Sequence, residues 1–300
     1  MEDKYTELAE TAIQSIEKIA GTHPGYRRAH AKGSYYRAVF EPNGQAAPYT
    51  TAAHLQAKPV NTVVRFSDSS PNPNMIDGLS PVKGMSVQFG LPGGEATYLV
   101  SVNVPVFLTK TPEAFIEMMR LAAEGPGPSD LVKIFIDYPE SKAAFHILKH
   151  MKPFTSYSTS RYFPIHTFYF VNEAGDRQPV KYEWVPDHSF SAEAKKKAAA
   201  HPADYLEKEL DEQLPTSFTL FVILGEPADP VDDSTVLWPE ERKRIAVGRL
   251  EIKEKITDPN DQVVFDPTIL PEGIECSNDP VLHARRDLYA ASFKRRSNGL

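Results

Sequence analysis

Apolar residues recur along this chain with two different periods, and the changes of period mark its elements. Over residues 3 to 20, Leu8, Ile13, Ile16 and Ile19 fall at helical spacing among charged residues, predicting an amphipathic helix stopped at Gly21. From 60 to 107 the period drops to about two in "TVVRFSD", "GMSVQFG", "TYLVSVN" and "VPVFLT", four predicted strands with "LPGGEA" as a hairpin turn. Residues 112 to 150 return to helical spacing, opening at Thr111 and Pro112 with a second start near Ser129 and Asp130. Strands are predicted again at "HTFYFVN", "PVKYEWVP", "SFTLFVILG" and "RIAVGRLEIKEK", with a helical region at 191 to 213 among them. The segment 279 to 296 reads as a helix capped by Asp279 with Pro280 in its first turn, and "GYRRAHAKGSYYR" (25 to 37) reads as loop.

Strands gathered in hairpin-like groups, instead of strict alternation with helices, predict an α+β fold with an antiparallel sheet and helices beside it. About eight strands suffice to close a barrel, here over about 60 to 255. No repeat, low-complexity tract or flexible linker interrupts residues 1 to 300, so a single domain is expected. With 26 prolines against 16 glycines, the connections should be ordered. A net charge of −7 excludes a field suited to nucleic acid or an anionic membrane surface. The single cysteine, Cys276, excludes an internal disulfide and a Cys-rich zinc cage and fits a reducing compartment. The acidic, amphipathic start lacks the features of an export signal, so a cytoplasmic location is expected, or a periplasmic one if a signal has been removed.

Several polar residues stand where their chemistry asks for a use. His30 sits close to Arg27 and Lys32, whose positive charge favours a neutral imidazole able to accept a proton; the plainer alternative is a histidine satisfied by backbone. Arg285 and Tyr289 are i and i+4 on one helical face, where a guanidinium favours the phenolate, a hard oxygen ligand for ferric iron. Arg296 lies two turns further along that face, in reach of a carboxylate, although a basic surface helix would look similar. Arg65 and Ser67 share one face of a strand. Asn103 is embedded in "LVSVNVPVFL", either as a functional amide or as a structural one bonded to a neighbouring loop. Of the other histidines, His23, His54, His146, His150, His166, His188, His201 and His283, none has metal-ligand spacing beyond the pair in "HILKH". GxSxG, Walker and GxGxxG signatures are lacking.

Taken together, "RRAHAKG", "RFSDSS", "LVSVNVPVF", "RYFPIHTFYFVN", "KYEWVP", "DDSTVLWP", "IAVGRLEI" and "RRDLY" resemble the haem catalase family, in family order from about residue 20 to 296. The resemblance implies an eight-stranded antiparallel barrel with surrounding helices that holds haem b. It also implies roles: His30 the distal acid and base, Asn103 the distal amide, Ser67 the hydroxyl on His30, Tyr289 the axial ligand and Arg285 its charge partner. Arg27, Arg65 and Arg296 match the arginines that hold haem carboxylates. The chain is shorter than full-length members, and Val102 stands where a second asparagine is frequent. It therefore resembles the minimal, catalase-related peroxidase branch, for which a broad channel, hydrogen peroxide and organic hydroperoxides as substrates, small organic electron donors and a homodimer are expected. Two rival expectations are a hydroperoxide isomerase or allene oxide synthase, disfavoured by Ala29 where that branch tends to carry threonine, and a non-enzymatic haem-binding protein.

Overall fold

The computed structural model describes residues 2–123, 127–151, 154–188, 204–259 and 262–300. Helix α1 spans Glu2–Ala20 and ends at Gly21, whose φ of 80° is open to glycine and whose N–H bonds Glu17 O at 2.9 Å. Strands β1 (Gly33–Pro42), β2 (Val60–Asp68), β3 (Lys83–Gly90) and β4 (Ala96–Val102) form an antiparallel meander. Helices α2 (Pro112–Ala123), α3 (Pro128–Asp137) and α4 (Ser141–His150) follow. Then come β5 (Phe168–Val171), β6 (Arg177–Pro186), α5 (Tyr205–Glu212), β7 (Thr216–Leu224), β8 (Arg244–Lys255), β9 (Ile274–Cys276) and α6 (Pro280–Ser297).

The nine strands run in one sheet, β4-β3-β2-β1-β8-β7-β6-β5-β9, with every pairing antiparallel. Residues 162 and 163 then join its far members. Phe163 exchanges backbone bonds with Val102 at the end of β4 (2.7 and 3.1 Å), and Tyr162 with Trp184 of β6 (2.8 and 3.1 Å). Seven strands and this bridging pair make a closed ring of eight positions, while β5 and β9 lie beyond it. The bridge satisfies the Val102 and Trp184 backbone groups that an open edge would expose.

Alternation does the rest. In β7 and β4 every second residue is buried. The inward positions carry large rings, with Phe40 edge-on to Phe89 and Trp184 (centroids 5.3 and 6.1 Å) and Phe66 against Tyr157, Tyr162 and Phe218. Such offset and edge contacts add to the burial of aromatic area that dominates the core. Helix α1 packs on α2 and α6, through Ala9 and Ile13 against Leu288 and Ala291.

Several sequence expectations are corrected. The segment read as loop over 25 to 37 becomes β1 from Gly33 onward, so the barrel starts before residue 60; basic and aromatic residues had masked an alternating strand. "VPVFLT" is not a strand: Pro105 has no N–H for a ladder, and Val104 and Val106 are buried against Ala144 of α4. Among the described residues the helical region 112 to 150 holds three helices, and β9 was not foreseen. Of the helix expected at 191 to 213, only Tyr205–Glu212 falls among described residues as helix; 189 to 203, including His201, lie outside them.

Candidate functional site

The outer face of β2 to β4, the loop ahead of β1, and helices α1, α2 and α6 line a cavity of about 260 Å³. Its walls are mainly apolar, among them Val100, Phe107, Phe115, Val264, Phe265 and Leu288. Seven of the eight residues singled out above line it: Arg27, His30, Arg65, Ser67, Arg285, Tyr289 and Arg296.

His30 and Ser67 come from the barrel side. Arg65 and Ser67 leave β2 on the face opposite Phe66, so strand periodicity turns both toward the cavity. Ser67 Oγ lies 2.9 Å from His30 Nδ1. The imidazole is pushed down to about 3, by burial first and then by the charges of Arg65, Arg285, Arg27 and Lys83. His30 is half-buried by area and lines the cavity. A neutral imidazole can hold a proton on Nδ1 for Ser67 and keep Nε2 as acceptor. His30 itself has a φ of 55°, the one positive value at a non-glycine among the described residues.

Helix α6 supplies another wall. Asp279 caps it, accepting from Val281 N at 2.8 Å, and its second oxygen takes a 2.7 Å bond from His166 Nδ1. Burial, with the Arg285 charge, lowers His166 to about 4 even against Asp279, so the contact is a hydrogen bond of a neutral ring and not an ion pair at neutral pH. Arg285 Cζ stands 5.9 Å from the Tyr289 ring centroid. Its Nη1 is buried with no hydrogen-bond partner among described residues, a donor directed at something the protein does not itself provide. Arg296 is buried, stacked 5.3 Å from Phe293. Arg27 Nη2 donates to Tyr35 Oη (2.8 Å) and Val263 O (2.9 Å).

Asn103 is not brought into the cavity lining. Its Oδ1 accepts from Lys83 N at 2.8 Å and its Nδ2 donates to Pro81 O at 3.4 Å, so the amide serves the loop between β2 and β3. These are the bonds expected of the structural alternative for this amide. The His146 and His150 rings lie 4.3 Å apart, and the described residues contain no group of three or more metal-ligating His, Cys, Asp or Glu. Cys276 is held in its thiol form by burial.

Sequence reasoning missed six residues in and around the site. Ile13 and Ile16 of α1 line the cavity, one turn apart on its apolar face. Gly84 lies beneath His30. His166 was one of many unassigned histidines. Lys83 and Asp68 form a fully buried ion pair (2.5 Å) beside Tyr157, on the inner face of β2 and β3.

An apolar cavity lined by arginines, with the buried Nη1 of Arg285 left without a partner beside a tyrosine, fits an apolar group that carries anionic side arms and an electrophilic centre. No helix among the described residues is long and apolar enough to cross a membrane. A profile described as catalase matches residues 10–299. Catalase-related peroxidase of Synechococcus elongatus is 32% identical over 301 residues, spanning 96% of this chain and 88% of that protein. Catalase-related peroxidase of Mycolicibacterium paratuberculosis is 32% identical over 294 residues, spanning 95% and 94%. A solved bacterial catalase superposes with a TM-score of 0.79 at 23% identity, over 91% of this chain and 58% of the other, so this chain spans about six-tenths of that structure. A profile matching nearly the whole length, on a closed antiparallel barrel with its His–Ser and Arg–Tyr pairs around one cavity, makes the chain a member of the catalase family.

Proposed function

We propose that this protein is a haem-dependent peroxidase with catalase activity, reducing hydrogen peroxide and organic hydroperoxides. The observation that carries the reading is the facing of two chemistries across one apolar cavity: a buried, neutral His30 bonded to Ser67, and Tyr289 with Arg285 on α6. Tyr289 would hold the iron of haem b through its ring oxygen, with the Arg285 guanidinium 5.9 Å from its ring. Arg27, Arg65 and Arg296 are proposed to meet the haem carboxylates. Ferric haem b, when bound, supplies the electrons that reduce the peroxide and is regenerated by a second peroxide or by a small organic donor.

The protein's part is proton movement and exclusion of water. His30 Nε2 accepts the proton of one peroxide oxygen and returns it to the other, so the O–O bond breaks with water or an alcohol as leaving group. Ser67 accepts from Nδ1 and fixes the tautomer that leaves Nε2 basic. The apolar walls keep bulk water from competing as proton donor. Asn103, spent on the Lys83 and Pro81 backbone, is given a structural role here. A carrier of haem would have no need of a neutral base in this place, which supports the enzymatic reading.

The test is oxygen release measured beside oxidation of a phenolic donor by haem-loaded protein supplied with peroxide. Both should occur, with donor oxidation prominent, and His30→Ala should lower both on the order of 100-fold or more. Haem-loaded protein inert in both assays, or an undiminished His30→Ala, would overturn the proposal.

A further inference from the structure

The conformation of His30 is held from several sides. Its backbone is left-handed, a region that side chains with a Cβ seldom occupy without support. Its N–H and that of Ala31 donate to Ser69 O (3.3 Å) and Ser70 O (3.0 Å) just beyond β2. Arg65 Nη2 donates to His30 O at 2.9 Å and to Ala31 O at 3.3 Å, pinning both carbonyls of the turn from the middle of β2. The ring then lies over Gly84, the β3 residue paired with Ser67. A Cβ built on Gly84 would stand 2.8 Å from Ser67 Oγ and 2.9 Å from His30 Cε1 and Nδ1. The φ of Gly84 is not positive, so what glycine provides there is room and not backbone freedom.

We infer that Gly84 and Arg65 are positioning residues for the distal base: Gly84 leaves the space in which the His30 ring and the Ser67 hydroxyl meet, and Arg65 fixes the backbone turn that aims the ring. The inference rests on the reading of His30 as the proton-transferring group. It gives Arg65 a task distinct from meeting a haem carboxylate, since the bonds described run to the main chain of the turn. It also gives a use to a strand residue that has no side chain.

A methyl group at position 84 has nowhere to go. It must move Ser67, tilt the imidazole into the cavity, or part strands β2 and β3. Tilting is the least obstructed, because the ring lines the cavity. The 2.9 Å bond to Ser67 then breaks and Nε2 leaves its line. The groups facing the ring are Arg27 from the loop, Arg65 and Ser67 from β2 and Arg285 from α6, with the Lys83 charge acting through the sheet from its inner face. A ring tilted out of its seat loses part of the burial that is the main cause of its neutrality, and is protonated more readily. Since the base must be neutral, the acid limb of the rate profile should move to higher pH.

The experiment uses full-length, haem-loaded Gly84→Ala, Ser67→Ala, the double variant, and Arg65→Lys, with Soret absorbance reporting loading and kcat/KM for hydrogen peroxide measured against pH. Gly84→Ala should load haem as the parent does, yet lose kcat/KM on the order of 10²-fold, with its acid limb raised. Removing Ser67 Oγ gives the ring room, so Gly84→Ala should cost little further in the Ser67→Ala background. Arg65→Lys keeps the charge but not the paired carbonyl contacts, and should repeat the loss and the shifted limb without touching position 84. Gly84→Ala and Arg65→Lys with parental rates and pH profiles at full loading, or losses that multiply in the double variant, would overturn the inference. A parent protein that loads haem but does not turn over peroxide would instead remove the functional reading beneath it.

Discussion

One hydrogen bond, between His30 Nδ1 and Ser67 Oγ, decides which imidazole nitrogen faces the cavity, and its partners lie 37 positions apart in the chain. Ser67→Ala should leave haem loading intact and lower kcat/KM for peroxide about 10-fold, the equivalent of about 1.4 kcal/mol lost from the transition state; stopped-flow mixing with hydrogen peroxide measures it. Asn103 behaves oppositely in this account. Its amide satisfies two backbone groups, so Asn103→Ala should lower stability by about 1–3 kcal/mol in urea titrations, with the loss in stability outweighing any loss in rate. A rate loss like that of His30→Ala, at parental stability, would return Asn103 to the cavity. Residue type and strand context flagged His30, Ser67 and Asn103 alike. The direction in which an amide turns is set by loop backbone twenty residues away, and nothing in the local pattern records that.

Among the elements, α1 and α6 illustrate what a sequence shows and what it hides. Arg285 and Tyr289 occupy one face of one helix, so their proximity followed from spacing alone. The bond of His166 to Asp279 spans 113 positions and was invisible, as was the three-residue β9, too short to have a period. β1 was hidden because its alternation passes through Gly33, Arg37 and Glu41, residues with weak strand signals. For α1 the apolar stripe was legible, but not that Ile13 and Ile16 face the cavity. Nor was the clasp that holds it: Glu17 binds Arg28 Nε (2.6 Å) and Arg295 Nη1 (2.7 Å), and Glu10 binds Arg295 Nη2 (2.7 Å). Arg28 is 3% exposed, so Glu17→Ala strands a buried guanidinium and should cost about 3 kcal/mol. Because α1 also covers the cavity, the same variant should release haem faster, which transfer to an apo-globin acceptor would record. Unchanged stability and release would mean that the clasp is ornamental to the helix packing.

For the whole molecule, buried titratable groups set the acid side of stability. His30, His54 and His166 are pushed down to about 3, 3 and 4 by burial, from 6.5. Below 6.5 the unfolded chain therefore takes up protons that the folded one refuses, and stability falls with pH by up to about 1.4 kcal/mol per unit for each histidine. Glu209 acts in the other direction. Burial raises its carboxyl to about 7, so between that pH and its unfolded value near 4.5 unfolding releases a proton and offsets one histidine. Below about 4.5 the offset is exhausted. The urea midpoint should thus drop more steeply between pH 4.5 and 3.5 than between 6.5 and 5.5, and a constant slope would contradict these burial assignments.

The account as a whole turns on the oxygen of Tyr289. The most direct measurement is the optical spectrum of purified, haemin-supplied protein beside that of Tyr289→Phe. A Soret band with high-spin ferric features in the parent, weakened or displaced in the variant, is the predicted result; a colourless parent, or a band indifferent to the loss of that hydroxyl, would contradict it.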